Sequence, residues 1–211
     1  MWAEPNGVVM GVALTGFGLV VLGYVVYAAH LWHGKLLAKL PVPSRWVPRS
    51  MLLAVLASAA WGAAGLMDVM SSKLLAWHLS VAFDHLRYAA WAAFLLLLLQ
   101  PAVAATAPWW WRLRWTAPVA LLLAGAGVNV VLGLPGPVSQ TILQALAGVQ
   151  LAWAVAGLVL VEQVFRNQGE PSRWAAKPLC LALAGLFIYD LYMYAQALMF
   201  GVPDLDVVNA R

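Results

Sequence analysis

Charge is scarce in this sequence: Asp, Glu, Lys and Arg together make up 9% of 211 residues, where a soluble domain carries about 25%. So few charges exclude a water-facing surface wrapped around a globular core. With 64% hydrophobic residues and a mean hydropathy of +0.84, the chain suits lipid as its solvent. Cysteine is nearly absent. The single Cys180 lies in an apolar run, which excludes an intrachain disulfide and any cysteine-clustered metal site. There is no zinc-type His-Glu spacing and no recognisable catalytic apparatus, so no catalytic residue is assigned. The net charge of +4 and the pI near 9.5 come with no basic helix face or stacking motif, which sets nucleic acid aside. The N-terminal stretch Met1 to Gly7 has no basic residue, carries Glu4 and Pro5, and leads into an apolar run too long for a cleavable signal peptide. It reads as a retained first span.

What the sequence has in abundance is long apolar runs. A spanning helix needs about 20 mainly apolar residues, and six candidates meet that length: roughly 8–31, 51–70, 82–100, 117–134, 140–163 and 179–201. The expected fold is therefore an all-α integral membrane protein, a polytopic bundle of about six transmembrane helices with short loops. It forms a single membrane domain over 1–211, expected to be the N-terminal part of a longer protein. Breaker-rich segments separate the spans: 41–49, 108–115, 134–137 and 166–174 read as turns and interfacial loops.

The cations fix an expected orientation. Lys35, Lys39, Arg45 and Arg49 fall in the first loop, Arg112 and Arg114 in the third, and Arg166, Arg173 and Lys177 in the fifth, whereas the second loop holds only Lys73 and the fourth none. The positive-inside rule puts the odd loops in the cytoplasm and the N-terminus outside, and an even span count puts Arg211 outside too. Trp32, Trp46, Trp109, Trp110, Trp111, Trp115 and Trp174 gather at the same cytoplasmic span ends, as an aromatic belt at headgroup depth does. Pro-Ser-Arg-Trp occurs at 43–46 and again at 171–174. A duplication is one reading, but the simpler one is convergence, with Ser capping a helix start and Trp anchoring it. Gly7 and Gly11 form a small-xxx-small pair that permits close helix packing.

Ionisable groups inside a membrane cost a few kcal/mol or more, roughly, at mid-depth, so those present are candidates for function. They are Asp68, Asp84, His85, Arg87, Glu162 and Asp190. Arg87 needs a partner: Asp84 is three residues away on the same helix face, and Asp190 or Asp68 is available across helices. One reading is a satisfied ion-pair network that fixes helix packing. The other is a ligand-binding or sensing pocket open to the outer side, formed by Asp68, Asp84, His85, Arg87, Tyr189, Asp190 and Tyr194, with Tyr88 and Tyr192 lining it further. Glu162 lies four residues before Arg166, a surface pair near the cytoplasmic end.

No cofactor or metal is expected. His30 and His33 end the first span on the cytoplasmic side while His78 and His85 lie near the outer side, about 30 Å of hydrocarbon away, so a haem held between the two sets is excluded; only His78 with His85 stays open as a pair. Arg87-Tyr88-Ala89-Ala90-Trp91 resembles the third-helix motif of microbial rhodopsins, but the span from Pro178 to Gly201 has no lysine, which excludes covalent retinal.

A second resemblance covers more of the chain. Val161-Glu162-Gln163-Val164-Phe165-Arg166-Asn167, then Arg173-Trp174-Ala175-Ala176-Lys177-Pro178-Leu179-Cys180-Leu181, then Gly185-Leu186-Phe187-Ile188-Tyr189-Asp190-Leu191-Tyr192-Met193-Tyr194, resemble the N-terminal membrane region of the PrsK-like sensor histidine kinases of bacterial exosortase and PEP-CTERM sorting systems. Leu86-Arg87 with Trp91-Ala92-Ala93-Phe94-Leu95 resembles their third span, and Asn209-Ala210-Arg211 the start of the segment after the sixth. Pro178 departs from the pattern and bears on how the sixth span begins. The resemblance implies a sensor or input domain of a two-component system in the bacterial inner membrane. It also implies a homodimer, and a response regulator as partner of the kinase core. The family's phosphoacceptor histidine and ATP-binding boxes have no counterpart here, so any phosphoryl chemistry belongs to a part beyond this chain. With Arg211 outside, a cytoplasmic kinase would need an odd number of further spans. A small transporter or carrier, with Asp190 and Arg87 as substrate or proton sites, is the second expectation.

Overall fold

The computed structural model describes residues 7–33, 46–71, 73–104, 108–134, 140–167 and 170–200. These form six α-helices: α1 (Gly7–His33), α2 (Trp46–Ser71), α3 (Leu74–Ala104), α4 (Pro108–Leu132), α5 (Gln140–Asn167) and α6 (Glu170–Phe200). There is no strand among the described residues. Each helix contains a stretch long and apolar enough to cross a membrane. The chain is an all-α polytopic membrane protein, as its composition implies.

The helices outrun the expected spans, and the reason is the solvent. In lipid every backbone N–H and C=O must be satisfied within the segment, so a helix gains by continuing to headgroup depth. The segment 108–115, expected as a loop, is instead the first two turns of α4. Pro108 suits the first helical position, because its fixed φ is already helical and its missing N–H has no partner there anyway. Likewise 166–174 is not a loop: α5 runs to Asn167 and α6 starts at Glu170. Ser172 therefore lies inside the first turn of α6, not before it as a cap. Ser44 is outside the described residues, as are Lys35, Lys39 and Arg45. Pro178 does not start or stop the sixth span. It sits inside α6, as Pro118 does inside α4, each removing one backbone donor without ending the helix.

Both Pro-Ser-Arg-Trp tryptophans serve one local device. Trp46 and Trp174 are exposed near the starts of α2 and α6, and each carries a cation three residues on: Arg49 lies 5.4 Å from the Trp46 ring and Lys177 4.8 Å from the Trp174 ring. An amphipathic ring with a cation on its face suits a water–lipid boundary.

α3 is the hub of the bundle. It packs against α2, α4 and α5, while α1 packs on α2 and α6 on α5. The interior gathers Val55 of α2, Tyr88, Trp91 and Leu95 of α3, Trp153 of α5 and Phe187 of α6. α1 turns Leu19, Leu22, Val25 and Val26 outward, and α4 turns Leu123 and Val130 outward. In water such faces would aggregate; against acyl chains they need no cover.

Candidate functional site

The inward face of α3 is written in the order Asp84, Arg87, Tyr88, Trp91, spaced by three, one and three residues, which stacks all four on one side over two turns. Arg87 is the centre. Its Nε and Nη2 donate to Asp84 Oδ1 at 3.2 and 2.8 Å, and Nη2 also donates to Asp190 Oδ2 of α6 at 3.2 Å. Arg87 and Asp84 are each 2% exposed and Asp190 is 1% exposed. The guanidinium carbon lies 4.4 Å from the Trp61 ring of α2 and 4.7 Å from that of Tyr88, so two π faces share the cation with the two carboxylates.

Neutral donors complete both carboxylates. Gln150 Nε2 of α5 and Tyr194 Oη of α6 donate to Asp84 Oδ2 at 2.9 and 3.1 Å, and Tyr88 Oη donates to Asp190 Oδ2. One guanidinium serves two carboxyl groups, and the O–H and N–H donors of Tyr88, Tyr194 and Gln150 supply further hydrogen bonds to them. Around this centre Tyr88 stacks between Trp153 and Phe187, at 5.9 Å to each ring, and Trp91 Nε1 donates to Ser58 Oγ of α2 at 3.1 Å. Gly157 of α5 permits the Phe187 arm: a Cβ there would stand 2.7 Å from three atoms of the Phe187 ring. The cluster thus joins α2, α3, α5 and α6.

The structure brings Asp84, Arg87, Asp190 and Tyr194 together, whereas Asp68 and His85 lie apart from Arg87's ion pairs. Asp68 is half-buried near the end of α2 and is in neither of Arg87's ion pairs. Tyr189, beside Asp190, is half-buried on α6. His85 is buried but turned the other way, since its ring rests on Gly125 of α4, where a Cβ would lie 1.9 Å from the imidazole. Tyr192, expected to line the same pocket, is exposed and accepts a hydrogen bond from Gln196 at 2.8 Å. Glu162 and Arg166 meet at 3.2 Å on the surface.

Gln150, Trp61, Trp153 and Ser58 complete the site and were not anticipated. Gln150 had a signal, an amide in the middle of an apolar span. The tryptophans had none, because the belt at the span ends absorbs attention to that residue type. Among the described residues no group of three or more His, Cys, Asp or Glu is placed to hold a metal ion. No family model, curated protein or solved structure matches this chain.

Proposed function

We propose that this chain is the membrane input domain of a bacterial two-component sensor histidine kinase, sitting in the inner membrane with its N-terminus outside. In this reading the Asp84–Arg87–Asp190 cluster is a latch that holds α6 to α3. The observation that carries it is the cluster's connectivity: one buried cation is shared between a carboxylate on its own helix and one on the last described helix. A low-dielectric ion pair has few intermediate geometries of low energy, so a latch built this way favours two discrete helix positions. The same three groups are almost fully covered by protein, which fits a packing switch better than a carrier, whose substrate must reach them. The kinase core, its dimerisation and its response regulator lie, in this proposal, in a part beyond Arg211.

The test is made on the longer protein. The coding sequence beyond Arg211 should contain an odd number of further spans and then a dimerisation helix with a phosphoacceptor histidine. In that protein Asp190→Asn should change the steady autophosphorylation level at least threefold at equal membrane abundance. A stop codon at once, or a phosphorylation level indifferent to Asp190→Asn and Arg87→Met alike, overturns the proposal.

A further inference from the structure

On the side of α3 opposite the ionic cluster, a cleft of about 440 Å³ runs between α3 and α4 near the Leu74 end of α3, a size typical of small-molecule sites. Ala82, Leu122, Ala126 and Val130 form its walls, and His78, His85 and Asn129 are its polar lining residues. Val130 and Ala82 are exposed, so the cleft opens on the lipid-facing surface.

The hydrogen bonds fix both imidazole tautomers. His85 Nδ1 lies 2.8 Å from the Val81 carbonyl, which can only accept, so Nδ1 carries the proton. Asn129 donates through Nδ2 to the His78 carbonyl at 3.2 Å, which turns its Oδ1 toward His78 Nδ1 at 2.6 Å. His78 Nδ1 is therefore a donor as well. In a neutral imidazole a protonated Nδ1 leaves Nε2 a bare lone pair, and neither Nε2 has a hydrogen-bond partner among the described residues. A buried acceptor without a donor is costly, and here two of them belong to side chains that line one cleft.

Their spacing selects the class of ligand. Residues 78 and 85 are two turns apart, about 10.5 Å along α3, while their contacts on α4, Asn129 and Gly125, are about 6 Å apart. One metal ion or one haem iron needs two imidazole nitrogens within about 4 Å, twice a bond of ~2.1 Å. The pair is too wide for that. Two O–H donors, each reaching about 2.8 Å to its nitrogen, bridge the upper value with about 5 Å between them, the span of para hydroxyls on a single six-membered ring.

We propose that the cleft between α3 and α4 is a binding site for a membrane-soluble quinol, held by O–H hydrogen bonds to Nε2 of His78 and of His85. The oxidised quinone offers only carbonyl acceptors and cannot satisfy these lone pairs, so the site distinguishes the reduced from the oxidised form. Both nitrogens lie under the cleft wall, so the rings tilt toward the ligand as it binds. For His85 that means leaving its seat on Gly125, one residue from Asp84. Resting on the input-domain reading above, this makes quinol the ligand whose arrival disturbs the Asp84–Arg87 pair from behind.

Binding is tested on this chain alone in phosphatidylcholine nanodiscs, with no kinase, so its failure is distinct from failure of the input-domain reading. The probes are a decyl-substituted benzoquinol and its quinone. Quinol should bind at least tenfold more tightly. His85→Phe should erase most of that preference, and His85→Gln, which restores an acceptor, should recover part of it. Histidine-labelled protein supplies a check that needs no variant: two Nε2 resonances should shift on adding quinol and not on adding quinone. Equal affinity for both forms, or unshifted Nε2 resonances under quinol, overturns the proposal. So does loss of quinol binding in phosphatidylethanolamine nanodiscs with the same Nε2 shifts already present, since a lipid ammonium would then be the occupant.

Discussion

Replacing Arg87 by Met keeps an unbranched stem as far as the Nε position and removes the guanidinium charge. Three charge-assisted hydrogen bonds disappear, two to Asp84 and one to Asp190, each worth about 1.5–3 kcal/mol. Their sum overstates the effect, because Tyr88, Tyr194 and Gln150 still donate to the orphaned carboxylates. The expected loss is about 3–5 kcal/mol, the range for stranding a buried charge. The carboxylates, not the missing arginine, account for most of it. Arg87→Met combined with Asp84→Asn should therefore cost less than the sum of the two single changes, by about 1–3 kcal/mol, and Arg87→Met with Asp190→Asn likewise. Arg87→Met with Asp68→Asn should be additive, since Asp68 is in neither ion pair. Equilibrium unfolding in mixed detergent micelles reads these differences. Additivity of both the Asp84 and Asp190 cycles within about 0.5 kcal/mol would mean that Arg87 is not held by these carboxylates, and the latch would have to be abandoned.

Other expectations follow from single contacts. Gly157→Ala drives a Cβ into the Phe187 ring and should destabilise by about 1–3 kcal/mol, with an altered near-ultraviolet signal from the Trp153–Tyr88–Phe187 stack. Arg166→Ala, on a pair whose side chains are 71% and 58% exposed, should change stability by less than about 0.5 kcal/mol; a larger loss would place that pair inside an interface. On a Cys180→Ala background, a cysteine at Lys73 should label from outside and one at Arg49 from the cytoplasm, and the opposite pattern would invert the charge-based topology. Purified protein should show no Soret band, because His78 and His85 are too far apart to ligate one iron from both sides.

Residue type and spacing made some of this structure legible and left the rest hidden. The six helices follow from apolar run length alone, since lipid leaves the backbone no other solution. Asp84 and Arg87 were a visible pair because three residues on a helix return to the same face. Asp190 was visible as a carboxylate with no reason to be in an apolar span. Which way each helix turns was not visible. In a soluble helix polarity marks the outer face, but here polar side chains on α3 and α6 are buried and apolar ones face outward, so nothing in the pattern separated His85, facing α4, from its neighbour Asp84, facing α5 and α6. Gly125, which allows the close approach of the His85 ring, looks like any other glycine until α4 is in place. The interfacial segments misled for a different reason: Pro and Trp are loop signals in water, whereas at a headgroup boundary Pro108 opens a helix and Trp46 and Trp174 anchor one.

The link between α3 and α6 can be measured directly. Leu86 and Ile188 are exposed positions on those two helices, and spin labels there report the helix separation in nanodiscs. With the Arg87–Asp190 pair intact the distance distribution should be a single narrow population. Asp190→Asn should add a second population, displaced by the order of 1–2 Å or more that switching helices show. Superimposable distributions for the wild-type chain, Asp190→Asn and Arg87→Met would contradict the assignment of this ion pair as the latch that holds α6 in place.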